Sequence, residues 1–409
     1  MNPTYFMTTF IFTILFIMVL NPLSSKMGLI DHPCQRKQHL EPTPLTGGLA
    51  VYLAIFSTIF IYDLNIINHG IYILSATVLV CIGLVDDFNP IGFRIRMITQ
   101  ICICILIIQV ANIKIIDLGN LWSYGIFELG LLSTPFTIFA LVGGINAFNM
   151  ADGIDGLVGG LTLIVVCIVA SLAYYNDMND LVNYCLILAS AITAFLVFNL
   201  KLFGKFTPKI FLGDTGSTLL GFIVSALLIY ISQGENKIIS PVTVLWILAI
   251  PIIDSVSIMT RRISQGKSPF LPDRDHFHHI LPLTGLSNKQ TLVVILASSL
   301  SLSIIGITAS LIFHVPDNIL FSIFLLLFVF HSIAMNKIKL HMKSNINNKQ
   351  ISNMVVVHQF VNNNINPYHM IRERRISNRR IYNIPINFPD RRKQERRKVI
   401  LKLSVHDKM

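Results

Sequence analysis

Five short polar stretches interrupt an otherwise apolar chain, and each carries side chains suited to phosphate or metal chemistry. Asp86 and Asp87 stand side by side, and adjacent carboxylates repel one another unless a cation or a proton is shared. Such a pair can also simply mark the end of an apolar run. Asn146, Asn149, Asp152 and Asp155 recur every third residue, so on a helix or 3₁₀ turn they form one slowly drifting polar stripe. The glycines among them, Gly153 and Gly156, leave room for a ligand against the backbone. Phe211 leads into Gly213, Asp214, Thr215 and Ser217, a composition that caps a helix. The same helix start offers free N–H groups to a phosphate. A carboxylate there suits Mg2+ bridging a diphosphate, since Mg2+ is usually held by one or two carboxylates plus substrate phosphates.

The fourth stretch, Asp273 to His279, packs Arg274, His276, His278 and His279 into seven residues. Zinc ligation is a rival reading, but adjacent histidines without cysteines make a poor structural zinc site. Phosphate and sugar-hydroxyl binding fits better. The fifth runs from Asp31 through Arg36, Lys37 and His39 to Gly48, basic and then rich in turn residues. Anion binding and topological anchoring suit it equally.

The elements that position these residues must be membrane helices. The 409 residues are 53% hydrophobic and 13% charged, with a mean hydropathy of +0.65. Apolar runs reach the ~20 residues that span hydrocarbon. About eleven spans are expected, at roughly 4–20, 45–62, 69–85, 97–113, 131–147, 158–175, 181–199, 211–231, 241–259, 291–313 and 316–335. In lipid the backbone must satisfy its own hydrogen bonds, so the fold class is all-α and polytopic. The first segment lacks the basic start and small-residue cleavage site of a signal peptide and reads as a retained helix. The six cysteines lie mostly inside apolar runs and read as small core residues.

Lysine and arginine set the expected orientation. Alternate loops (21–44, 86–96, 200–210, 260–290) hold thirteen of them, including Lys26, Arg94, Arg96, Lys209, Arg261 and Lys289; the opposite loops hold only Lys114 and Lys237. The thirteen mark the cytoplasmic side, leaving a periplasmic N-terminus and a cytoplasmic C-terminus, with all five polar stretches facing the cytoplasm. Residues 336–409 carry 17 Lys+Arg against 4 Asp+Glu, a net +13, while the whole chain is +11. The body, 1–335, is therefore slightly acidic, and the tail reads as a disordered basic extension attracted to anionic lipid headgroups. Few aromatics accompany its arginines, which argues against nucleic acid as a partner.

These residues, in this order, resemble the polyprenyl-phosphate N-acetylhexosamine-1-phosphate transferases. The resemblance rests on Asp86-Asp87, on Asn149 to Leu157, on Phe211 to Ser217 and on His276 to His279, with Arg36 to Gly48 in support, and covers roughly 1–335. The His-x-His-His form favours the N-acetylglucosamine branch over the peptidoglycan translocase. The resemblance implies a bacterial inner-membrane enzyme that moves N-acetylglucosamine 1-phosphate from its UDP derivative to undecaprenyl phosphate and releases UMP. It implies Mg2+, with Mn2+ as the alternative, held by Asp214 and Asp87. It also implies Asp86 and Asp87 beside the lipid phosphate and Asn149, Asp152 and Asp155 along the nucleotide. Phe211 would lie on uracil, and the histidines with Arg274 on the sugar phosphate. Arg36, Lys37 and Asn146 complete the expected substrate contacts. Another UDP-N-acetylhexosamine, or UDP-MurNAc-pentapeptide, stays open as donor, as does an oligomeric state. A lipid or sugar-phosphate transporter is the rival from another class; it would place its polar groups near the midplane of the membrane rather than at one face.

Overall fold

Long apolar runs, with every backbone group paired inside its own segment, give a bundle of helices. The structure, a computed structural model, describes residues 3–33, 41–64, 69–122, 124–268 and 275–362, with side chains as far as Lys339 apart from those of His69 and Lys205. The helices are α1 (Pro3–Met27), α2 (Gly47–Ile61), α3 (His69–Phe88), α4 (Phe93–Val110), α5 (Ser133–Ala151), α6 (Leu157–Tyr175) and α7 (Asn179–Asn199). They continue as α8 (Gly213–Ser232), α9 (Pro241–Ile247), α10 (Ala249–Ser264), α11 (Phe277–Ile280), α12 (Asn288–Ile307) and α13 (Asp317–Asn362). Two two-residue strands, β1 (Ile30–Asp31) and β2 (Thr43–Pro44), pair antiparallel with Ile30 opposite Pro44.

Among the described residues nine helices are long and apolar enough to cross a membrane, ten if the bent pair α9–α10 counts as one span. The chain is a polytopic membrane protein. Two of the eleven expected spans are corrected by their geometry. With 15 residues, α2 reaches about 22 Å at 1.5 Å per residue, short of the ~30 Å hydrocarbon core. The expected span at 241–259 breaks at Leu248, where α9 and α10 diverge by 86°. Pro251 accounts for the break: in a continuous helix its ring would meet the Ile247 carbonyl, and it has no N–H to donate. The ladder restarts with Ile252 N donating to Leu248 O at 3.0 Å.

Helix α8 is the axis of the fold. Of its most apolar window 94% is buried, against 17% for α1 and for the membrane part of α13. Small residues let its neighbours close in, as they do where membrane helices pack backbone to backbone. A Cβ on Gly48 of α2 would fall 2.3 Å from Gly216 N, and one on Gly83 of α3 would fall 2.4 Å from Thr215 Cα. The cysteines divide: Cys104 and Cys185 are core residues, whereas Cys81, Cys102 and Cys167 are exposed on the outer faces of apolar helices. In a bundle bathed in lipid, an apolar run fills the outside as readily as the core.

The chain forms two compact units, 1–339 and 340–409. The first holds everything described below. The second begins with the last turns of α13, which stay helical through Asn362 in the stretch expected to be disordered; residues 363–409 lie outside the described residues.

Candidate active site

The site is a meeting of helix ends. An open cavity of about 860 Å³ is lined by Asp86 and Asp87 at the end of α3, by Asn149 and Asp152 to Asp155 at and after the end of α5, and by Phe211 to Asp214 at the start of α8. Asn199 of α7, Lys209, Asp31 and His279 of α11 complete its wall. The first three polar stretches of the sequence, with one member each of the fourth and fifth, thus converge from positions scattered between Asp31 and His279.

Asp87 holds the start of α8. Its Oδ1 accepts from Asp214 N at 2.7 Å, and its Oδ2 accepts from Thr215 N at 3.1 Å and Thr215 Oγ1 at 2.6 Å. A helix leaves its first N–H groups without internal partners; here a neighbouring helix supplies the acceptor. Gly213 is required for this: its φ is +75°, and a Cβ there would sit 2.6 Å from Asp87 Oδ2.

Asp86, next in sequence, turns the other way. Arg96 of α4 donates to its Oδ2 at 2.6 Å and Ile91 N to its Oδ1 at 2.7 Å, closing the α3–α4 turn. The same guanidinium lies 4.0 Å from Asp214 Oδ2. Asn149 donates through Nδ2 to Asp214 Oδ1 at 2.6 Å, so that Asp214 stands between this amide and the Arg96 guanidinium.

The loop after α5 carries two further carboxylates. Asp155 pairs with Lys209 at 2.7 Å, and the Lys209 ammonium lies 4.9 Å from the centre of the Phe211 ring. Asn199 ties this loop to the approach to α8, accepting from Gly156 N at 2.6 Å and donating to Ile210 O at 2.8 Å. Asp152 accepts no hydrogen bond and makes no ion pair among the described residues. Its seat within the cavity wall, and then repulsion from Asp214, Asp87 and Asp155, push its carboxyl up to about 8. The residue's surface opens into the cavity, where water screens part of the first effect, and the crowding of the four carboxylates acts beside it.

Behind the cavity lie the histidines. His276 Nδ1 is 2.9 Å from Asp254 Oδ2, and Asp254 Oδ1 accepts from Phe277 N at 2.9 Å. The His276 and His278 rings stack at 5.6 Å, and His278 meets His279 at 4.2 Å. A Cβ on Gly153 would fall 2.0 Å from His278 Nε2, so this ring packs directly on the acidic loop. Burial, then repulsion from His279 and His276, lowers His278 to about 3, which makes it a neutral ring at neutral pH.

Several expected residues stand elsewhere. Asn146 lies outside the cavity lining, donating to Gln100 Oε1 at 2.7 Å and Val142 O at 2.8 Å. His276 and His278 are buried behind His279, and Arg36, Lys37 and Arg274 lie outside the described residues. Conversely, Arg96 and Lys209 reach the site although their charges read only as topology. Asn199 and Asp254 were overlooked. Asp254 carried a usable signal: it is the single charge between Pro241 and Met259, and an ionisable residue inside an apolar span is a functional candidate by default.

Residues 69–232 match the family model described as glycosyl transferase family 4. The chain is 37% identical over 334 residues to an undecaprenyl-phosphate alpha-N-acetylglucosaminyl 1-phosphate transferase of Escherichia coli O157:H7, covering 82% of this chain and 91% of that one. The chain belongs to this family. Proteins of the same name from Salmonella typhi (36%, 80% of this chain and 89% of that one) and Haemophilus influenzae (36%, 78% and 90%) match over nearly the same extent. The matched family region ends with α8 and so takes in every acid of the cavity except Asp31, while the histidine segment falls beyond it.

Proposed function

We propose that this chain transfers N-acetylglucosamine 1-phosphate from UDP-N-acetylglucosamine to undecaprenyl phosphate, releasing UMP. The observation that carries the reading is the cavity where α3, α5 and α8 meet, with the carboxylates of Asp86, Asp87, Asp152, Asp155 and Asp214 gathered between Arg96 and Lys209, in a chain whose relatives bear that activity in their names. The positive-inside distribution supports a cavity facing the cytoplasm of a bacterial inner membrane, where a soluble nucleotide sugar can meet a lipid phosphate.

The residues fit Mg2+, or Mn2+ in its place. Among the described residues no three His, Cys, Asp or Glu side chains are close enough to form a metal site of their own. Mg2+ does not ask for one when substrate phosphates supply the remaining oxygens. Asp214, and Asp152, which has no partner among the described residues, are the carboxylates open to it. Asp87, expected as a ligand beside Asp214, already accepts three hydrogen bonds from α8, and its role is to hold Asp214 in place. When bound, the cation would neutralise charge on the diphosphate.

The protein's own groups handle orientation and charge. A phosphate monoester has its second pKa near 6, so at pH 7 the lipid phosphate is largely dianionic and needs no strong base. What opposes attack is repulsion between two anions. Arg96 and Lys209 supply fixed positive charge at opposite ends of the acid row, Phe211 offers a face to uracil, and His279 offers a ring nitrogen to the donor phosphates. One phosphoanhydride is broken and another formed, so the reaction runs close to equilibrium. UMP release from purified protein, measured with undecaprenyl phosphate, divalent cation and a panel of UDP-sugars, tests the reading. Release with UDP-N-acetylglucosamine is expected; release confined to another sugar, or to none, would overturn it.

A further inference from the structure

Asp254 is the one charged residue between Pro241 and Met259, lying within α10 beyond the 86° bend, and it is only 8% exposed. Neither of its oxygens points to a group in its own helix. Both reach the histidine segment, 22 and 23 residues on in sequence. Since a carboxylate can only accept, the 2.9 Å contact assigns a ring proton of His276 to Nδ1. The second contact takes Phe277 N, an N–H that α11 would otherwise leave unpaired. Four side chains then run in a row from helix to cavity. Asp254 holds His276, His276 stacks on His278, His278 leans on Gly153 and touches His279, and His279 faces the cavity.

We infer that Asp254 is a positioning residue for the transfer: acting through His276, it fixes the tautomer and seat of the histidine row, so that His279 meets the donor phosphates in one orientation. The inference rests on the transferase reading above. It also gives the broken span a use. A helix bent away at Leu248 carries a buried carboxylate to the back of the histidine segment, one residue from Asp275, which Arg261 of the same helix holds.

Asp254→Asn tests it with almost no change of shape. The amide oxygen can still accept from Phe277 N, but the amide NH2 would donate to His276 Nδ1 and force the opposite tautomer. We expect kcat for UMP release to fall about 100-fold, as for other misplacements of an orienting group. Donor KM should stay within about threefold and the thermal midpoint in detergent should stay near that of wild type. Asp254→Glu keeps an acceptor for the same nitrogen and is expected to restore at least a tenth of wild-type kcat; a Glu variant no better than Asn overturns the inference, and so does a fully active Asn variant. In a cycle with His276→Gln the double variant should be no slower than the slower single variant, because the two residues act as one unit. Independent, multiplying losses would assign Asp254 a structural role only. If the wild-type protein releases no UMP, the transferase reading falls and the inference with it; an active wild type with an unimpaired Asp254→Asn sinks the inference alone.

Discussion

The acids and the histidines share one cavity and are built in opposite ways. The acids sit at its open surface and repel one another, and one of them, Asp152, has no partner among the described residues. Two of the histidines, His276 and His278, are buried and stacked, anchored from behind by Asp254, with His278 held neutral. The acid side is therefore incomplete until something positive arrives, and the histidine side is finished before anything binds. One side recruits cation and phosphate; the other presents fixed geometry.

The contrast is sharpest at Asp214. Asp214→Asn keeps the size of the side chain and removes the charge open to a cation. We expect a loss of about 10³-fold in kcat, larger than that of any histidine-side variant; a smaller loss than Asp254→Asn would invert the comparison. Gly213→Ala attacks the acid side through the backbone. With φ at +75° and Asp87 in the way, it should destabilise by about 2 kcal/mol from left-handed strain and loss of the cap together, with a lower unfolding midpoint and about 10²-fold less activity.

The unpartnered Asp152 makes stability depend on pH. Its folded carboxyl is raised to about 8 from an ordinary 3.8, so the folded state binds the proton more tightly than the unfolded state. Folding is then favoured at low pH and loses support as pH rises from about 4 to about 8. In chelator, the thermal midpoint of the wild type should fall between pH 5.5 and 8 more steeply than that of Asp152→Asn, and added Mg2+ should flatten the wild-type curve. Equal slopes for the two proteins would show that the crowding is relieved some other way. His278, lowered to about 3, pulls oppositely, adding stability as pH rises from about 3 to 6.5, so the comparison with Asp152→Asn is read most cleanly between pH 7 and 8.

Smaller effects come from the half-exposed rim. Lys209→Ala removes a salt bridge to Asp155 in which both side chains meet water, a class worth about 0–1 kcal/mol, and should lower kcat/KM for the donor a few-fold. Ending the chain after Lys339 should change UMP release least of all. A cut at 335 would also remove Lys339, which pairs with Asp275 beside His276 at the same carboxylate that Arg261 holds at 2.7 Å, and should be the more damaging of the two truncations.

The difference between the two sides also decided what the sequence could reveal. Asp86, Asp87, Asn149, Asp152, Asp155 and Asp214 were legible because each lies at the end of an apolar run, where a charge is conspicuous, and because open carboxylates announce metal and phosphate chemistry by type alone. Their division of labour was not legible: adjacent Asp86 and Asp87 bond in different directions, one to Arg96 and one to α8, which only the packing of α3 against α4 and α8 decides. On the histidine side the motif was visible and its support was not, because Asp254 lies 22 residues from His276. The number of long spans was overcounted for a related reason. Hydropathy registers how apolar a segment is, but not that α2 stops at 15 residues or that Pro251 breaks the span at Leu248.

The cap on α8 also bears on the order of events at the ribosome. Asp87 is made 127 residues before Asp214, and the first turn of α8 is completed by it. When Gly213 emerges, the residue that will accept from the first turn of α8 has already been made. A nascent chain halted before α8 has its aspartate pair and its asparagines but no cavity. The acidic centre is therefore complete only in a chain long enough to include the start of α8.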